Sequence, residues 1–200
     1  MYAMSAIAGG TATVISALLA VFVVQPSTTV PDTMWNYPWP SDTFILVCVA
    51  YAIFHALVLV GVLGFARSGA AGPSKTARAG NGLAITGTAA LFVAELASIP
   101  FRAEPLSAAG PSAVGALFGL GTLLTGVGFL MSGVTTLKAG VWQDWRRYVP
   151  LALGIWSMLL VGIAATAGLA LGVGVYGLCV VLLGVALRSP VVATTARIAA

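Results

Sequence analysis

Charge is scarce in this chain. Only 7% of its 200 residues are Asp, Glu, Lys or Arg, where a soluble domain carries about a quarter. With so little polar surface to cover a fold, a water-soluble globule is excluded, and a bilayer is the fitting solvent. Histidine is scarcer still. A single one rules out a haem held by two histidines and makes a zinc site hard to build. The two cysteines, Cys48 and Cys179, each lie inside an apolar run, so neither belongs to a disulfide framework or a CxxC pair. Phosphate-binding loops, the Gly-x-Ser-x-Gly elbow and HExxH are all missing. No metal or cofactor is therefore expected. The formal charge of +4 and pI near 9.4 would suit nucleic acid, but the basic residues fall in short stretches between apolar runs. They read as topology signals, and nucleic acid is not an expected partner.

What the chain has in abundance is apolar length. Hydrophobic residues make up 60% of it, with a mean hydropathy of +1.04. A span needs roughly 20 residues at 1.5 Å each. That criterion predicts helices near 4–24, 43–65, 82–100, 113–136, 149–168 and 170–187, with a small-residue turn around Ala167-Gly168. The expected fold is all-α: one polytopic six-transmembrane-helix bundle over 1–200. The first run lacks a basic leader and is long enough to span, so it reads as a retained helix.

The connecting stretches orient the bundle. Arg67, Lys75, Arg78, Lys138, Arg146, Arg147, Arg188 and Arg197 fall on one side if the helices alternate, and only Arg102 falls on the other. The positive-inside rule makes the basic side cytoplasmic, with both termini inside a cell membrane. Trp35, Tyr37 and Trp39 cluster in the first outer loop, and Trp142, Trp145 and Tyr148 in a basic inner one. Both clusters suit the headgroup level. The outer loop also carries Pro26, Pro31, Pro38 and Pro40, so it is stiff and suited to fold over the mouth of the bundle.

Two polar stripes mark candidate chemistry. On helix 3, Asn81, Thr88, Glu95 and Arg102 recur every seven residues, and Ser98 joins them. Seven residues is close to two turns, so these groups share a face that must turn away from lipid. Glu95 is the one acid inside a predicted span. An intramembrane acid costs at least a few kcal/mol to insert, which makes it a functional candidate. On helix 2, Ser41, Cys48, Tyr51 and His55 share a second face. Consecutive antiparallel helices allow the stripes to face each other. Counting from the helix ends, His55 and Glu95 differ in depth by roughly 10 Å, which favours a shared cavity over direct pairing. Arg102 is expected to snorkel outwards or to pair with Glu104.

The bland readings stand beside these. Polar residues in membrane bundles often only hydrogen-bond neighbouring helices. On helix 4, Gly121, Thr125, Gly128, Ser132 and Thr135 form one small-residue face, and Gly115, Gly119, Thr122, Gly126 and Gly133 another. Such faces allow close packing, in the bundle centre or in a homo-oligomer. Phe44, Tyr51, Phe54, Phe92, Phe118, Phe129, Trp156 and Tyr176 reach into the spans. Around an acid, such rings line an apolar pocket and can stabilise a cation through their faces.

In size, in its all-helical layout and in the acid of Phe92-Val93-Ala94-Glu95-Leu96, the chain resembles the small integral-membrane terpene cyclases. That resemblance implies an enzyme acting on a lipid-soluble isoprenoid, with an acid that protonates an olefin or epoxide and starts a carbocation cascade. It also implies two acids. Glu95 is the first, and Asp42, Asp32 or Glu104 at the outer mouth would be the second. On this reading Glu95, His55 and Asp42 are the catalytic candidates, and Tyr51, Phe54, Phe92, Trp39, Trp156, Tyr176 and Arg102 the substrate-binding ones. Two other classes fit the composition: a proton-coupled transporter with a Glu95–His55 relay, and an accessory subunit without chemistry. An apolar cavity walled by Glu95 favours the enzyme. A water path favours transport, and a filled bundle favours the accessory role.

Overall fold

The computed structural model describes residues 1–164, 166 and 168–188. Among these residues there is no strand, and six helices are long and apolar enough to cross a membrane. Helix α1 (Tyr2–Leu19) continues through a π turn (Ala20–Val24) and a 3-10 turn (Gln25–Ser27). Helix α2 spans Ser41–Arg67, and α3 spans Lys75–Ser98 with a 3-10 extension at Ile99–Phe101. Helix α4 spans Ala109–Ala139; a 3-10 turn, Asp144–Tyr148, leads into α5 (Val149–Ile163), and α6 spans Leu169–Arg188. Each helix packs on its neighbours in the chain, and α1 packs on α6 to close a ring.

The helix ends depart from the hydropathy reading for local reasons. Helix α3 starts at Lys75 rather than near 82 because Ser74 caps it: its Oγ accepts the Ala77 N–H at 3.1 Å. Hydropathy sees only the apolar part of a helix, and the exposed Lys75 and Arg78 prolong this one. Helix α4 ends at Gly140, whose φ of +63° is open to glycine without strain. Helix α5 stops at Ile163, and the Leu169 N–H closes a turn onto the Thr166 carbonyl at 3.1 Å. Ala167, expected in that turn, and the basic tail residue Arg197 lie outside the described residues.

Small residues bring backbones together. A Cβ on Gly128 of α4 would lie 2.3 Å from the Ala84 nitrogen of α3, and one on Gly87 2.4 Å from the Thr125 nitrogen. Ser132 Oγ donates to Asn81 Oδ1 across the same seam at 2.9 Å. The first small-residue face of α4 is therefore the α3 contact. The second divides: Gly126 and Gly133 meet α5, whereas Gly119 has nothing within 4 Å.

The basic end of the ring is filled. Val58, Val62, Phe65, Phe129, Leu153 and Leu183 are fully buried there and in the bundle centre. The Phe65 ring sits 5.8 Å from Phe129 and 5.7 Å from Trp142. Trp142 is 1% exposed, so it is a core residue and not a headgroup anchor. It follows the left-handed turn at Gly140 and packs on Phe65, while Trp145 and Tyr148 stay exposed.

Candidate functional site

At the opposite end, the ring holds a cleft of about 260 Å³. Helix α2 contributes Phe44, Val47, Cys48 and Tyr51, spaced three and four apart on one face. Glu95 and Ser98 come from α3, Phe118 from α4 and Leu169 from the start of α6. Trp35, Tyr37 and Trp39 of the proline-rich loop complete the wall.

Backbone hydrogen bonds pin that loop. The Trp35 N–H donates to the Glu104 carbonyl at 2.9 Å and the Leu106 N–H to the Thr33 carbonyl at 2.8 Å, an isolated antiparallel bridge between the two connecting segments. Thr28 Oγ1 donates to the Pro38 carbonyl at 2.7 Å and Asn36 Nδ2 to the Trp39 carbonyl at 2.6 Å. The Trp35 ring lies 6.4 Å from that of Phe118, which ties the loop to α4. The loop folds over the mouth, and its aromatic residues turn into the cleft instead of standing only as interface anchors.

Glu95 Oε1 lies 3.5 Å from His55 Nδ1. This is direct contact, whereas the depth offset counted along the helices favoured a shared cavity without pairing. The expectation compared Cα depths alone. Each Cα–Cβ bond leans towards the N-terminus of its own helix, and α2 and α3 run antiparallel. His55 therefore reaches towards the cleft end and Glu95 towards the basic end, and the side chains close the gap. His55 Nδ1 also lies 3.1 Å from the Tyr51 carbonyl one turn back. A carbonyl oxygen only accepts, so the ring proton sits on Nδ1 and points at the Tyr51 carbonyl, with the carboxyl in contact beside it. Both side chains are largely buried, at 16% exposure for His55 and 13% for Glu95.

The other candidates separate into two groups. Trp39 and Tyr51 line the cleft with Glu95. Phe54 lies one step behind the wall, edge-on to Tyr51 at 5.6 Å. Asp42 is exposed in the first turn of α2, and Phe92 is half-buried outside the lining. Arg102 turns back on its own turn, with Nη1 3.5 Å from the Ile99 carbonyl, and its carbonyl accepts from Ser41 Oγ at 3.4 Å. Its guanidinium makes no ion pair with Glu104. Trp156 donates its indole N–H to the Gly172 carbonyl at 2.8 Å, tying α5 to α6, and Tyr176 is packed in the core. Leu169 joins the wall without any sequence signal, because an apolar residue at a helix start looks the same facing lipid or a cleft. Among the described residues, no cluster of His, Cys, Asp and Glu is placed to hold a metal ion. Compared with protein-family models, with curated proteins and with solved structures, the chain matches none.

Proposed function

We propose that this protein is a membrane-embedded enzyme in which Glu95 protonates an apolar, isoprenoid-type substrate held in the aromatic cleft. The observation that carries this reading is an acid in the wall of an aromatic cleft, with the His55 Nδ1 3.5 Å from one of its oxygens. In its acid form, Glu95 gives its O–H proton to an olefin. The π electrons form the new C–H bond, and a carbocation and a carboxylate remain. The His55 N–H, held by the Tyr51 carbonyl with Nδ1 3.5 Å from Oε1, places its dipole beside that carboxylate as it forms. The faces of Trp35, Trp39, Tyr51 and Phe118 hold the cation. Loss of a proton from the final cation back to the carboxylate restores the acid, so the net reaction is an isomerisation.

The cleft is smaller than most ligand pockets, which begin at about 300 Å³. It suits a short isoprenoid, or one end of a longer one whose tail runs out of the open side. The filled basic end argues for a blind cleft over a transport path, and the cleft itself argues against a purely structural subunit. The same proposal places the chain in the cell membrane with both termini cytoplasmic, on the distribution of its basic residues.

The test is product analysis by mass spectrometry. Membranes carrying the wild type or Glu95→Gln are incubated with linear isoprenoids and their epoxides. A cyclised product from the wild type alone is the expected result. No product from either folded protein would sink the reading.

A further inference from the structure

A second feature lies on the outside of the bundle at its basic end. Trp145, Tyr148, Val149 and Ala152, spaced three, one and three apart, face Cys179 and Leu182 of α6 across an almost wholly apolar groove of about 200 Å³. Trp145 and Tyr148 are 47% and 48% exposed, as rings at a headgroup boundary would be. The Arg147 guanidinium lies over the Tyr148 ring, 4.7 Å from its centroid, and Nη2 donates to the Tyr148 hydroxyl. A cation is thus held at the rim of an apolar groove.

The charges there do not cancel. Arg146 is 7% exposed; its Nε lies 3.2 Å from Asp144 Oδ1, and its Nη1 is buried without a partner. Arg147 Nε is likewise buried and unpartnered. The Arg146 backbone N–H, and then the charges of Arg146 and Arg147, hold the Asp144 carboxyl below its ordinary range. Asp144 is therefore ionised near neutrality and balances one arginine, leaving one positive charge. Buried donors of this kind normally have partners.

We infer that this groove binds one anionic phospholipid, with its phosphodiester on Arg147 and an acyl chain along Trp145, Ala152 and Leu182. A phosphodiester supplies the one negative charge that balances Arg147 over the Tyr148 ring, and the chain fills the apolar groove. The inference is independent of the chemistry proposed for Glu95. It is tested on the purified full-length protein by native mass spectrometry, with phosphatidylglycerol and phosphatidylcholine of matched chains. Near a membrane surface each arginine is worth about a fivefold preference. The wild type should retain phosphatidylglycerol about fivefold over phosphatidylcholine, and Arg147→Gln should erase the preference. Ala152→Trp, which fills the groove, should remove the preferred lipid, and Arg78→Gln, elsewhere on the basic end, should leave it. Excess inorganic phosphate should not displace it. No headgroup preference in the wild type, an unchanged preference in Arg147→Gln, or displacement by inorganic phosphate would each overturn the site.

Discussion

Side-chain direction does at Glu95 and His55 what helix depth does not. Two groups at different depths on neighbouring helices meet because antiparallel helices lean their side chains towards each other. The consequence is a carboxyl with one oxygen next to an N–H whose orientation the Tyr51 carbonyl fixes. In the proposed reaction His55 positions and stabilises, while Glu95 delivers the proton. His55→Phe should therefore lower kcat, by less than the roughly 100-fold that loss of a fully hydrogen-bonded donor costs. KM should hardly move, since His55 is not part of the cleft wall. Steady-state kinetics on whichever isoprenoid is turned over checks this; an unchanged kcat would reduce His55 to a packing residue. Glu95 was legible from the chain because an acid inside an apolar run is costly and unusual. Phe118 gave no comparable sign of its role, because phenylalanines are common in membrane helices whatever they touch.

Between helices, the decisive quantity is how closely backbones approach. At the α3–α4 seam there is no room for a side chain at Gly128, where a Cβ would sit 2.3 Å from a backbone nitrogen that cannot swing aside. Gly128→Leu should cost at least the 1–3 kcal/mol typical of overpacking and lower the thermal midpoint of the detergent-solubilised protein. Gly82, on the same α3 helix, has nothing within 4 Å. Gly82→Ala should be neutral or stabilise by up to about 1 kcal/mol through helix propensity. Equal midpoints for the two variants would contradict the seam. The small-residue face of α4 was visible as a pattern, but the pattern alone fits a bundle seam and a homo-oligomer equally well. Its division between α3, α5 and open surface required the neighbours.

The whole molecule has two unlike ends. One is filled by Phe65, Phe129 and Trp142, and the other is hollow beneath a proline-rich loop. Under the positive-inside assignment the hollow end faces outwards. In a variant lacking Cys48 and Cys179, Thr29→Cys should react with an impermeant maleimide on intact cells. Thr76→Cys, exposed at the filled end, should react only after lysis. The reverse labelling would turn the cleft towards the cytoplasm and change which substrates reach it.

The chain by itself determined the all-helical class, the count of apolar spans and the polar faces bearing Glu95 and His55. Each is a local property: length, hydropathy or a period within one helix. Only the tertiary structure decided that His55 touches Glu95, that Trp35 and Tyr37 turn into a cleft, that Trp142 belongs to the core and that Asp42 stays outside the wall. Those outcomes depend on helix separation and on the paths of connecting segments, which are set by contacts between residues far apart in the chain. No pattern within a single helix encodes them.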